Sequence, residues 1–335
     1  IIERYLTLLV MVCVALVTAL CLFYAAERVN TVMLDEPFDH AIFARAGHNF
    51  WQTGQFYPRV DEPYPTFLPG AAVFKFPPVY QLYVAPWVKQ GITVQYYHAS
   101  YLTCLVLYIL SVMLLCRHIL ISLQPTSRCF TVCFTGITVS TACLLEPFYS
   151  CLTLLAGEIP IFFCCVMALF FAKTRPLLAG VMIAIAATAK IYPVFMLLYV
   201  AALHSNKQRM YFFSGFIAGS SALLLLTLYF FGTPELIYYL TTVFPVLMKE
   251  HPMGISENIN LIFFLFPDGI THFFAENAFI FIRLTTIALL GYITASSLKK
   301  KPRNTLDNTL LYSLLITSMV ICLANYWLQY EVLLL

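Results

Sequence analysis

Residues 5–26 read YLTLLVMVCVALVTALCLFYAA, an unbroken apolar run without a charged side chain. About 20 such residues in a helix cross the hydrocarbon core of a bilayer, where an α-helix satisfies all its own backbone groups. The run exceeds the usual signal-peptide core of about 7–15 residues, so it reads as an anchoring helix. Further long runs occupy 96–116, 129–147, 210–231, 274–298 and 306–324, with shorter ones at 157–172, 176–189 and 191–203. Together they predict nine spans in an all-α polytopic integral membrane protein.

Composition agrees. Hydrophobic residues make up 61% and charged residues 10%, against about 25% charged in soluble domains. No polar block is long enough to fold alone, so residues 1–335 form a single transmembrane domain. The opening on Ile1 and the stop inside an apolar run at Leu335 predict a chain trimmed at both ends. A formal charge of +3 gives no reason to expect a nucleic-acid partner. Cysteines such as Cys13, Cys21, Cys133, Cys164 and Cys165 lie in apolar runs and read as small hydrophobes. With no CxxC pair at metal spacing, neither a metal nor a cofactor is predicted.

Basic residues set the orientation. Arg117 to Arg128, Lys173–Arg175, Lys207–Arg209 and Lys299–Arg303 all fall on the cytoplasmic side if the chain starts inside and 77–91 does not cross. Prolines 77, 78 and 86 interrupt that stretch, which reads as a helix at the outer surface. Two long external segments follow, 28–95 and 232–273. No inverted repeat of the kind that builds transporters stands out.

The first external segment concentrates polarity in Asp35, Glu36, Asp39, His40, Arg45, His48, Asp61, Glu62 and Lys75. From Asp39 to Thr53 the spacing predicts an amphipathic juxtamembrane helix, with Ile42, Phe43, Ala46 and Phe50 on one stripe. Arg45, His48, Asn49 and Gln52 lie opposite, and Gly54 ends the helix. Asp39 reads either as an N-cap or as a carboxylate poised at the membrane surface as a general base, with Asp35 its rival. His40 and His48, eight apart, do not match the i, i+4 spacing of a helical metal pair.

Four motifs in order resemble glycosyltransferase family 87. They are Asp39-His40 before the amphipathic helix and Gly54-Gln55-Phe56-Tyr57-Pro58; Phe76-Pro77-Pro78-Val79-Tyr80; Gly157-Glu158-Ile159-Pro160 followed by Lys173-Thr174-Arg175-Pro176 and Ala189-Lys190-Ile191-Tyr192-Pro193; and Tyr326-Trp327-Leu328-Gln329-Tyr330. The resemblance covers about residue 30 to 335. It departs at Glu158, where the family usually has Gln, and in an Asn-rich stretch reduced to Asn258-Ile259-Asn260.

That resemblance implies a GT-C-like helical bundle with juxtamembrane helices in the first external loop. It implies a hexosyltransferase, mannose favoured, using a polyprenyl-phosphate-linked sugar donor and a lipid or glycan acceptor. By carry-over, Asp39 deprotonates the acceptor hydroxyl and the anomeric carbon inverts. Lys190 is the first candidate for the donor phosphate, although a lysine there can also snorkel to the surface from a helix end. Lys75, Arg45, Lys249 and His251 are secondary phosphate or sugar candidates, each equally a surface charge. Glu158 and His40 are candidates for acceptor or sugar contacts, and the helix dipole alone also favours a carboxylate at Glu158. Tyr57 and Trp327 are candidate sugar platforms, with an interfacial aromatic belt the alternative. The family points to a bacterial inner membrane with the site on the external face. Two competing readings are a transporter or lipid flippase and a non-catalytic scaffold.

In a cysteine-depleted background, Val60→Cys and Ile255→Cys should react with an impermeant thiol reagent from outside, and Lys301→Cys only from inside.

Overall fold

The computed structural model describes residues 2–245 apart from 34–36, 58, 60–66, 69–70, 73, 75, 124–127, 145, 156, 191–192, 195 and 198–204. The expected spans 274–298 and 306–324 lie outside these residues, as does most of 232–273.

The described chain is helical. It comprises α1 (Ile2–Val32), α2 (Phe38–Thr53), α3 (Val94–Leu123), α4 (Arg128–Leu144), α5 (Glu146–Leu154), α6 (Glu158–Phe171), α7 (Pro176–Ala189), α8 (Asn206–Phe231) and α9 (Thr233–Tyr238). A two-residue antiparallel ladder, β1 (Phe67–Leu68) with β2 (Ala71–Ala72), is the described β-structure. Helices α1, α3 and α8 are long and apolar enough to cross a membrane. Helices α4, α6 and α7 are apolar but shorter, at 17, 14 and 14 residues, or about 21–26 Å at 1.5 Å per residue.

Small residues set the helix packing. A Cβ on Gly180 of α7 would fall 2.0 Å from the Phe212 carbonyl oxygen, and one on Gly215 of α8 2.0 Å from that of Leu177. Gly219, one turn on, would meet the Ala184 Cβ at 2.9 Å. The two backbones touch and the helices run parallel, the close approach that small residues permit between membrane helices. Helices α1 and α4 are also parallel: a Cβ on Gly136 would meet Val14 at 2.7 Å, and Ser140 Oγ lies 3.2 Å from Thr18 Oγ1.

These contacts sort the charged residues onto two ends. At one, Gln208, part of a capping box with Ser205 at the start of α8, donates to the Lys173 carbonyl at 3.0 Å. The Arg117 guanidinium lies 5.7 Å from the Phe170 ring on the last turn of α6. The starts of α1 and α4 share this basic end. The opposite end gathers α2, α5, α9, the start of α6 and the end of α7.

The structure differs from the sequence reading in four places. The expected helix over 77–91 is two 3-10 turns, Pro78–Leu82 and Ala85–Val88, because Pro77, Pro78 and Pro86 remove the donors a longer α-helix needs. The run 129–147 stops at Leu144, since Pro147 has no N–H to donate to the Cys143 carbonyl. A new helix, α5, then starts, held by Phe148 stacked on Tyr108 at 4.2 Å and by Tyr149 donating to the Cys143 carbonyl at 2.7 Å. Its 9 residues span about 14 Å and return the chain to α6 at the same end. Within 191–203, the described residues 193–194 and 196–197 form 3-10 turns. Finally, α2 buries its apolar stripe against protein. Ala41, Ile42, Phe43, Ala44 and Ala46 are buried, while Arg45, Asn49 and Gln52 are exposed.

Gly180→Val and Gly215→Val should each prise α7 from α8. Overpacking of this kind typically costs about 1–3 kcal/mol, and a clash with backbone belongs at or beyond the top of that range. Thermal unfolding of the purified protein in detergent checks it.

Candidate functional site

Three ionisable side chains converge at the end opposite the basic loops. Glu158 opens α6 behind Gly157, whose φ of +93 suits glycine. A Cβ on Gly157 would also fall 2.7 Å from the Tyr80 hydroxyl, so glycine is required twice over. Lys190 ends α7 in an extended conformation, its N–H bonded to the Ala186 carbonyl at 3.1 Å. Because α6 and α7 form an antiparallel hairpin, the first residue of one meets the residue just past the other. Lys190 Nζ and Glu158 Oε1 form an ion pair in which the glutamate side chain is fully buried and the lysine 9% exposed.

The polar segment 28–95 supplies the third charge. Asp39 lies in the first turn of α2, whose N-cap is Pro37 with no side-chain cap bond, so Asp39 does not cap this helix. Burial raises its pKa to about 6, opposed by the attraction of Lys190 and assisted by the repulsion of Glu158. The two hairpin charges are therefore within electrostatic reach of Asp39. Phe76 presents its ring 5.3 Å from Lys190 Nζ. Tyr80 is buried beside it, ring centroids 5.2 Å apart. Burial first, then Glu158 and Asp39 among its neighbours, pushes the Tyr80 phenol well above its ordinary range, so it stays protonated.

His40 joins the start of α2 to α3. Its ring stacks on Tyr96 at 5.1 Å, and its Nε2 lies 3.0 Å from Ser100 Oγ. Ser100 donates to the Tyr96 carbonyl, so Nε2–H of His40 is the donor to Ser100. Burial lowers the His40 pKa to about 4, leaving the ring neutral near pH 7. His48 is tied to the Val88 carbonyl and to Gln52. Among the described residues no cluster of three or more His, Cys, Asp or Glu could hold a metal ion.

The remaining sequence candidates fall elsewhere. Arg45 is exposed on the outer face of α2. Tyr57 is buried, donates to the Phe76 carbonyl at 2.6 Å and stacks on Phe74 at 5.4 Å, so it supports the residue beneath Lys190. Lys75, Lys249, His251, Trp327 and the rival Asp35 lie outside the described residues. Sequence reasoning assigned no role to Phe76 or Tyr80, although it quoted their motif. It also missed the ion pair of Arg59 with Glu235 on α9, where Glu235 is buried and accepts the Phe56 N–H at 2.8 Å. Arg59 lies 3.8 Å over the Tyr238 ring. Here the sequence offers only a carboxylate in a helical first turn, indistinguishable from one placed by the dipole.

The model of the family described as Glycosyltransferase family 87 matches residues 74–324. The interval contains Phe76, Tyr80, Glu158 and Lys190 and begins after Asp39. No curated protein and no solved structure matches the chain.

Asp39 binds its proton more tightly folded than its ordinary value of 3.8 allows. The stability this contributes is present below that value, is lost as pH rises to about 6, and is absent above. Asp39→Asn should therefore raise the unfolding temperature near pH 7.5 and leave it little changed near pH 4. Thermal melts at the two pH values check this.

Proposed function

The chain belongs to glycosyltransferase family 87, and from that membership we propose that it moves a hexose, mannose favoured, from a polyprenyl-phosphate-sugar to a lipid or glycan acceptor. Family membership makes it a membrane glycosyltransferase. The choice of donor, the chemistry and the side of the membrane are our reading. The observation that carries it is the convergence of Asp39 with the Glu158–Lys190 pair at one end of the bundle.

Asp39 is the base. A carboxylate lifted to about 6 is ionised at neutral pH yet has more affinity for a proton than a solvated one, as general-base catalysis needs. The acceptor oxygen attacks the anomeric carbon, its proton passes to Asp39, and the bond from that carbon to the phosphate oxygen breaks on the far face. One displacement inverts the configuration, so no protein nucleophile is required. Lys190, at the rim of the same cluster, meets the departing phosphate with an ammonium group that has three donors. Phe76 beneath it favours the cation by its ring face. His40, neutral and locked between Ser100 and Tyr96, fixes the turn that carries Asp39. Tyr80, kept protonated, supplies a hydroxyl to the sugar side.

The basic loops support an orientation with this cluster on the non-cytoplasmic face, in a bacterial inner membrane. A polyprenyl tail then remains in lipid while its phosphate reaches Lys190, which sits just beyond an apolar helix.

Membranes containing the full-length protein should transfer radiolabel from a polyprenyl-phosphate hexose. Asp39→Ala should lower the rate by about 10²–10⁴-fold, the range of general acid–base contributions. Equal transfer by both would remove Asp39 from the mechanism.

A further inference from the structure

Glu158 has one oxygen accounted for and one that is not. Oε1 pairs with Lys190, whereas Oε2 is buried with no hydrogen-bond partner among the described residues. The side chain is 0% exposed. A buried carboxylate oxygen without a donor is strongly disfavoured, and such an atom in a folded protein marks a missing partner. The surroundings offer no second cation within the described cluster. Tyr80, Cys104 and Asp39 lie within electrostatic reach of Glu158, and of these only the Tyr80 hydroxyl is a strong neutral donor.

Chemistry identifies the partner, given that Lys190 receives the donor phosphate as proposed above. The phosphate is joined through one oxygen to the anomeric carbon. The two oxygens of one carboxylate share a single carbon, so a group meeting Oε2 lies close to the phosphate on Lys190. The substrate group that fits is the hydroxyl on the ring carbon next to the anomeric centre. We infer that Glu158 Oε2 accepts a hydrogen bond from this hydroxyl of the donor hexose. The acceptor approaches from the side of Asp39, the opposite face of the reacting carbon. A hydrogen bond at this hydroxyl strengthens as positive charge grows on the sugar ring in glycosyl transfer. Glu158 is then a specificity residue for the donor sugar as well as the counter-ion of Lys190.

The test compares polyprenyl-phosphate mannose with its 2-deoxy counterpart, using the full-length protein and its Glu158→Leu and Glu158→Gln variants. The unsubstituted chain should prefer the parent donor in kcat/KM by about tenfold or more, the worth of a hydrogen bond to a charged group. Glu158→Leu should lose activity on the parent donor and much less on the deoxy donor, so that the preference collapses. Glu158→Gln, which keeps a neutral acceptor, should fall between. Equal losses on both donors in both variants would overturn the inference, because a folding defect or a displaced Lys190 does not discriminate between sugars. Transfer abolished by Asp39→Ala but indifferent to the hydroxyl in the unsubstituted chain would overturn this inference alone. Absence of transfer from either donor would overturn the proposed reaction with it.

Discussion

The buried pair of Glu158 and Lys190 holds the described end of the molecule in register. A charge inside a membrane helix costs about 2.5–3.5 kcal/mol on insertion scales, and removing one partner of a buried pair destabilises by about 3–5 kcal/mol. Neither residue is therefore independent of the other. Their contact requires α6 to begin where α7 ends, which the tight turn at Lys173–Arg175 provides. It also requires the chain before α6 to arrive at the same end, which the break after Leu144 and the short α5 provide. Phe76 and Tyr80 then pack on the pair, bringing the polar segment between α1 and α3 and its Asp39 with them.

The same arrangement explains why the pKa of Asp39 is raised and not lowered. Asp39 has a cation nearby, which alone would favour its ionised form. That cation is already engaged by Glu158, so the pair presents little net charge and burial decides the direction. A more open lysine would make Asp39 a weaker base. The partnership thus tunes a residue on another helix.

Much of this was legible in the sequence because membranes penalise ambiguity. Apolar runs announced α1, α3 and α8, and Gly54 announced the end of α2, which it caps with φ +78. Lys190 and Asp39 stood out as charges beside apolar stretches, and the family assignment rested on motifs spread along most of the chain. What stayed hidden depends on contacts between distant residues. Glu158 and Lys190 are 32 positions apart and Arg59 and Glu235 are 176 apart, and no local pattern encodes such pairings. Proline blurred the rest: it signalled a break near 77 without saying that 3-10 turns would follow, and Pro147, at the end of a run read as one span, gave no sign that a new helix would start. Asp39 looked like a cap because its residue type favours caps, but Pro37 ends the extended chain first.

The amphipathic face of α2 has a second significance. Trp51 donates to the Ala85 carbonyl at 2.7 Å, His48 to that of Val88 at 3.0 Å, and Gln81 returns a bond to the Phe43 carbonyl at 3.1 Å. The 3-10 turns leave carbonyl groups that an α-helix would have used internally, and α2 answers them from its side chains. Sliding α2 past the turns would strand these acceptors in a dry interior. The helix and the turns consequently behave as one plate, so a shift of α2 carries residues 78–88 with it.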